Sequence, residues 1–516
     1  MILSQFGKTL INFPPMPIPM ENWEAFQAHE NHLLRREMAY DPADLTLEVE
    51  DRLLSFNLEQ RTVYDAVMQS IQNNEGRTFF LQSAGGGGKT YVCNAIAAAV
   101  RATNHPALCV ASSGIAALLL DGGRTAHSCF KIPIPIFDTS FCGISRNAHL
   151  KELIRLTKVI IWDEAPMQHR YAIEALNRTL QDVLGQDRPF GGLTVLFGGD
   201  FRQILPVIPR GSREQIINAS IRKSTVWRHI QVFHLTQNMR LHQSPENAAF
   251  AQWLLEVGEG RGLSPEKTIS LPRTMIAPGH TVDSLANLIY PDIANQPKPD
   301  SFFLDRTILT TTNAYVDDIN THLLNMFPGE ETTLLGFDTV AGDGRNHGHQ
   351  YPIEFLNSMA IPGLPLAHLK LKKGCPLMLL RNMDQVNGLC NGTRMVLLDV
   401  KPRVLQCRIL GGRHAGNVVF IPRIALQPSN EDLPVPIIRR QFPVRLAFSM
   451  TINKSQGQSL NHVGIDLRKP VFSHGQLYVA LSRCTSCNNV KVLLPEGSTT
   501  TNVANVVYPE ALANLF

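Results

Sequence analysis

No apolar run in the 516 residues approaches the ~18 to 20 that a membrane-spanning helix needs. The opening residues, MILSQFGKTLINFPP, lack the basic segment, apolar stretch and small-residue cleavage site of a secretory signal. Nine cysteines are scattered along the chain, and only Cys484 and Cys487 have C-x-x-C spacing, with no second pair or histidine cluster to accompany them. A disulfide-stapled secreted scaffold and a zinc ribbon are therefore set aside, and the chain reads as a reduced, intracellular, soluble protein. An excess of charge is missing too: 48 Lys and Arg against 44 Asp and Glu leave a net +4. That balance permits a nucleic-acid partner held in one basic groove without requiring it. No repeat of fixed period is present.

What is present is a globular composition, 44% hydrophobic and 18% charged, in a chain long enough for two to four domains. Residues 1–50 combine the proline-rich NFPPMPIPM with a charged helical stretch and read as an N-terminal extension. From Phe56 to about Leu235, short apolar runs alternate with helical patterns, the signature of a parallel sheet flanked by helices. The expected strands are FFLQS, ALCVAS, KVIIWDE, GLTVLFGGD and QVFHLTQ, rich enough in Val, Ile, Leu and Phe to be buried on both faces. A second α/β segment begins at RTILTTTN and resumes at FPVRLAFSMT. Between them, over roughly 341–440, short β-type runs punctuated by Gly, Pro and Asn read as an all-β insertion.

Leu81 to Val92 read LQSAGGGGKTYV. The run ends like a phosphate loop, G-x-x-x-x-G-K-[ST], but Ser83 stands where the first glycine belongs. A flexible linker is the competing reading. The apolar strand before it and the alanine-rich helix after it favour the loop, in which Gly85, Gly86, Gly87 and Gly88 would let amides close on phosphate oxygens at a helix N-terminus. Lys89 would reach the β and γ phosphates and Thr90 would ligate magnesium. If position 83 needs a left-handed backbone, serine strains the turn by on the order of 1 kcal/mol.

KVIIWDEAPM places Asp163 and Glu164 at the carboxyl end of a buried strand, where open parallel sheets bind ligands. Asp163 would hold magnesium and Glu164 would polarise the attacking water; the plainer alternative is that both acids start the next helix. In VLFGGDFRQILPV, Gln203 is a candidate sensor of the γ-phosphate and Asp200 would fix the loop. Gln60 opens an amphipathic helix, where its amide either reads the adenine edge or merely caps the helix. Arg240 and Arg483 suit the equatorial oxygens of a transferring phosphoryl group, although either alone would pass for a surface residue. Finally, ASSGIAALLLDGGRTAHSCF and MTINKSQGQSL offer Ser112, Ser113, Thr125, His127, Ser128, Lys454 and Ser455 as donors to a sugar-phosphate backbone, or as caps of polar loops. Gly457 in the second segment is placed with the nucleotide site.

Together, SAGGGGKT, ASSGIAALLLDGGRTAHSCF, IIWDEAPM, GGDFRQILPVI, LTQNMRL, FSMTINKSQGQSL and GQLYVALSR resemble, in order, the motifs of the petite integration frequency (PIF) helicase family, in the B branch of superfamily one. The likeness is strongest to the helicase portion of Helitron transposons, through words such as YPIEFLNSM and LRNMDQVNGLCNGTR, and runs from about Leu53 to Leu494. The resemblance implies two RecA-like P-loop NTPase domains, with domain 1A over 51–240, including a wedge over about 124–142. Domain 2A would occupy 241–340 and 441–516, with the β-rich domain 2B inserted at 341–440. It also implies a monomeric, ATP- and magnesium-dependent motor that moves 5′ to 3′ on single-stranded DNA and opens forked duplex. Such motors serve repair, recombination, telomere maintenance or Helitron transposition, in the nucleus if the source is a eukaryote. Gln60 falls on the Q motif. Lys89, Thr90, Asp163, Glu164, Gln203, Arg240 and Arg483 fall on the ATP-binding and hydrolysis positions. A full Helitron transposase also carries a nuclease with a His-hydrophobic-His pair; the nearest pair here, His347-Gly348-His349, reads as an exposed linker. The chain therefore reads as a stand-alone helicase or a piece of a longer protein that does not itself nick DNA. The competing reading is a degenerate transposon-derived DNA-binding protein without ATP turnover.

Overall fold

The computed structural model describes residues 31–144, 147–239, 245–295, 298–340, 361, 364–385, 387–428 and 437–515. Arg240 and the His347–His349 pair lie outside them.

All five expected strands of the first lobe form, in a six-stranded sheet ordered β3-β2-β4-β5-β1-β6. They are β1 (Thr78–Ser83), β2 (Ala107–Ala111), β3 (Arg124–Thr125), β4 (Val159–Asp163), β5 (Thr194–Gly199) and β6 (Ile230–Leu235). Every pairing is parallel. β1, β2, β4 and β5 are buried along their whole length, as strands covered by helices on both faces must be. The helices Leu58–Gln72 and Lys89–Ala102 close one face, packing Val63, Val67, Ile96 and Ala97 on Leu81 and Ile161. The helix Arg170–Leu184 closes the other, with Leu176 and Leu180 near Trp162 and Phe197.

The second lobe has a four-stranded parallel sheet in the order 449–451, 306–310, 462–466, 490–493. A five-stranded antiparallel sheet interrupts it, running 418–422, 404–409, 394–400, 376–379 and 444–446 in space. Its last strand, Val444–Leu446, lies past residue 440, the expected end of the insertion.

Two segments join lobes to which the sequence did not assign them. The helix Pro42–Ser55, expected mostly in the N-terminal extension, lies on the first lobe through Leu45, Val49 and Leu53. The tail, expected with the second lobe, pairs 502–504 with 268–270 and then returns to the first. Tyr508, Ala511, Leu512 and Leu515 enter the first lobe's core, and the Arg222 guanidinium donates to the Ala511 carbonyl at 2.7 Å. No helix among the described residues is long and apolar enough to cross a membrane.

Candidate functional site

The carboxyl ends of β1, β4 and β5 meet at one point because parallel strands all present that end to the same side. There they line a cavity of about 540 Å³ between the lobes. The loop 84–88 joins β1 to the helix that starts at Lys89, so Lys89 and Thr90 stand at a helix N-terminus facing the cavity. Gly86 and Gly88 take left-handed backbone (φ 95° and 83°), which glycine alone adopts freely. The loop is held from outside: Met239 N donates to Gly86 O at 2.9 Å and Asn238 Nδ2 to Gly85 O at 3.2 Å.

Ser83 is not strained. It is the last residue of β1 and is not among the left-handed positions, so its backbone suits any residue. Its hydroxyl donates to Ala84 O at 2.9 Å and fills the space beside Gly87; a Cβ at Gly87 would land on the Ser83 Oγ. The glycine that the loop needs in that layer is at position 87 rather than 83.

Gln60 lines the cavity, and both ends of its amide are already bonded within the protein. Its Oε1 accepts from Asn57 N at 3.1 Å, completing a capping box, and its Nε2 donates to Gly87 O at 3.1 Å. Both ends are engaged, so Gln60 braces the phosphate loop.

Asp163 ends β4, and its Oδ1 accepts from Glu164 N at 2.7 Å. Lys89 Nζ forms an ion pair with Asp163 and lies 3.6 Å from Glu164 Oε1. Burial alone would lower the Lys89 ammonium, but Asp163 and Glu164 outweigh it and hold its pKa above the ordinary value. Burial raises the Glu164 carboxyl, against the opposing pull of Lys89 and, more weakly, Arg483. Glu164 is itself left-handed (φ 53°), a conformation costing on the order of 1 kcal/mol that is kept where surroundings impose it, commonly at functional sites. Thr90 and Asp163 fit a magnesium ion, which takes one or two protein oxygens and completes its shell with phosphates and water. Among the described residues no cluster of three or more acids, histidines or cysteines offers an all-protein cage.

The second lobe reaches the cavity with Gly457, Gln458, Ser482 and Arg483. Arg483 donates to Val479 O at 2.9 Å and Gln458 O at 3.1 Å, a brace that holds its guanidinium at the cavity wall. Gln203 Oε1 accepts from Gln456 Nε2 at 3.0 Å, joining the lobes beside the cavity.

The segments proposed for a sugar-phosphate backbone divide. Ser112 and Ser113 follow β2 and Thr125 ends β3, so all three lie at the carboxyl edge of the first sheet. Ser112 Oγ accepts from Trp162 Nε1 at 3.1 Å, Ser113 caps the helix Gly114–Leu119, and Thr125 Oγ1 accepts from Gln385 of the insertion at 3.3 Å. Burial lowers the His127 imidazole and keeps it neutral, while Ser128 is exposed. Across the cleft, the Lys454 ammonium is pushed down to about 8 by burial and by the charges of Arg445 and Arg381. Ser455 is fully buried with its hydroxyl on Ile452 O at 2.7 Å, so it shapes the turn rather than presenting a donor. Gly457 approaches Ala116, bringing the two segments face to face.

Four residues at or beside the site carried no signal in sequence: Arg52, Ser55 and Tyr91 line the cavity from helices that local patterns assign to packing, and Gln456 is a neighbour only in the folded chain. Cys484 donates to Asn461 O at 3.2 Å and burial raises its thiol, which fits an ordinary reduced cysteine.

Known proteins share sequence and fold with this chain. Residues 55–268 match the model of the PIF1-like helicase family, and residues 354–399 match that of the DNA helicase Pif1 2B domain. An ATP-dependent DNA helicase Pif1 from Psychrobacter is 29% identical, over 81% of this chain and 66% of its own length. The human ATP-dependent DNA helicase PIF1 is 28% identical, over 84% of this chain and 60% of its own. The chain thus spans less than two thirds of either relative. A crystal structure of a Bacteroides Pif1 helicase with ADP-AlF3 and single-stranded DNA shares the fold at TM-score 0.64 and 23% identity, covering 89% of this chain and 96% of that one.

Proposed function

The chain belongs to the PIF1-like helicase family, and from that premise we propose that it is an ATP-driven motor that moves 5′ to 3′ along single-stranded DNA and opens forked duplex, acting as a monomer. One observation carries the reading: a single cavity between two parallel-sheet lobes gathers Lys89, Thr90, Asp163, Glu164, Gln203 and Arg483. Hydrolysis there can pull one lobe against the other, and a strand held across both lobes is then advanced.

Lys89 and the loop amides bind the β and γ phosphates. Thr90 and Asp163 would hold magnesium, which neutralises charge on the phosphate oxygens. Glu164 orients and polarises the attacking water, and Gln203 contacts the γ-phosphate while joined to Gln456. Arg483 stabilises the charge that spreads over the equatorial oxygens, and Arg240 is assigned the same task. Strand binding falls to Ser112, Ser113, Thr125, His127, Ser128 and Lys454, which touch the backbone and not base edges. The intact acids and phosphate loop argue against a degenerate binding protein. The test is unwinding of forks carrying only a 5′ or only a 3′ tail; opening of the 5′-tailed fork alone is expected, and opening of the 3′-tailed fork alone reverses the polarity.

A further inference from the structure

Among the contacts between the lobes, one tight joint lies beside the cavity. Its first half is the turn after β5, Asp200 to Gln203; its second is the stretch His474 to Tyr478, which leads into the helix Gln476–Leu481. Asp200 is fully buried, and its two oxygens are shared between the lobes. Oδ1 accepts from Gln82 Nε2 at 2.8 Å, from Arg202 N at 3.1 Å and from Arg202 Nη1 at 3.3 Å; Oδ2 accepts from the Tyr478 hydroxyl at 2.7 Å. Gln82 is the residue before Ser83 on β1, and its Oε1 accepts from Phe201 N at 3.3 Å. One carboxylate thus ties the phosphate-loop strand, the turn that carries Gln203, and the helix that leads to Arg483.

The joint has no slack. His474, also fully buried, bonds Phe201 O through Nε2 at 2.8 Å and accepts from Tyr508 N through Nδ1 at 2.9 Å. Gly475 is left-handed (φ 73°), and a Cβ there would meet the Gln203 carbonyl carbon at 2.6 Å. A Cβ at Gly258 would lie 2.9 Å from both Tyr478 and Arg202 side-chain carbons. Burial and the neighbouring Asp200 keep the Tyr478 hydroxyl protonated, so it is a permanent donor. From Tyr478 the helix runs to Leu481, and Arg483 follows in the turn after it, with its Nε donating back to Val479 O at 2.9 Å.

We propose that the Tyr478–Asp200 bond is a strut that sets Arg483 in register with Glu164, making both strut residues positioning residues for phosphoryl transfer. The proposal rests on the ATP-hydrolysis reading above. Neither residue lines the cavity, so neither touches the nucleotide. Their effect passes through the helix to Arg483, and displacement of a reacting group by a fraction of an ångström is enough to slow chemistry.

Tyr478→Phe removes one oxygen and leaves the ring packing intact. In the full chain, with single-stranded DNA present, kcat for ATP is expected to fall on the order of 10-fold to 100-fold. KM for ATP should stay within about two-fold, because only transition-state contacts are lost. Affinity for ADP–aluminium fluoride should fall in step with kcat, and the melting temperature should stay within about 5 °C of the parent. Asp200→Asn should show the same split, and the double variant should be no slower than the slower single. An unchanged kcat overturns the strut, as do losses of kcat, ATP affinity and melting temperature that move together, or single effects that multiply in the double variant. A parent chain without ATP turnover refutes the hydrolysis reading instead, and the strut falls with its premise.

Discussion

The two lobes bring unequal equipment to the same cavity. The first supplies Lys89, Thr90, Asp163, Glu164 and Gln203 from turns at the carboxyl ends of β1, β4 and β5, strands that pair directly or through one neighbour. The second supplies Arg483 from the turn after a short helix and Gly457 from another turn, and the chain around them contacts the first lobe at Asp200, Phe201 and Gln203. The first half of the site is therefore built by local chain geometry, and the second half by docking. On the proposed function, nucleotide binding belongs to the first lobe and turnover needs both.

The sharpest way to separate them is within the first lobe. Glu164→Gln should cut ATP turnover by on the order of 10²- to 10⁴-fold while a fluorescent nucleotide still binds. Lys89→Ala should lose both, since its ammonium is the cation of the phosphate site. Equal loss of binding in the two variants would break the division of roles. The carboxyl of Glu164 is raised by burial, and it must be ionised to polarise water. The acid limb of the parent's pH–rate profile should accordingly lie above the ordinary glutamate range near 4.3, with activity lost as pH falls through that raised value.

A smaller effect tests how self-contained the phosphate loop is. Gly87→Thr should weaken ATP binding, overpacking the loop by about 1–3 kcal/mol, because the new side chain meets the Ser83 hydroxyl. Adding Ser83→Gly should restore most of it, while Ser83→Gly alone should change ATP affinity little. If Ser83→Gly alone tightens binding, serine strains the turn after all.

The smallest effect concerns the docked half. Burial pushes the His474 imidazole down to about 4, so the folded protein resists a proton that the unfolded chain accepts near 6.5. The unfolded state then binds more protons in that window, and stability falls as pH drops from about 6.5 toward 4, by at most ~1.4 kcal/mol per pH unit. Melting curves at pH 7.5 and 5.5 check this: His474→Gln should start less stable and lose less on acidification. An equal loss in parent and variant would detach the joint from His474.

The same contrast explains what could be read in the sequence. Five of the six strands of the first sheet, the phosphate loop and the acid pair were legible because each is a contiguous word whose hydrophobic run fixes where its polar end must lie. At Gln60 the sequence offered two roles, and the capping-box spacing from Asn57 to Gln60 is the local signal for the one the structure displays. Strain at Ser83 was inferred from the glycine pattern, which assigns a residue type to a position without giving its backbone angle. Tyr478 and Gln456 stood inside recognised words, but their partners, Asp200 and Gln203, lie more than two hundred residues away. The tail was assigned by proximity in sequence; nothing local in VVYPEALANL shows that its apolar residues belong to the other lobe's core.

ATP turnover by the whole chain, measured with and without single-stranded DNA, tests the central claim most directly. Coupled lobes predict hydrolysis that rises severalfold when the strand is added and disappears in Glu164→Gln. Hydrolysis that is intact but indifferent to the strand would contradict the account, leaving an ATPase that is not a DNA motor.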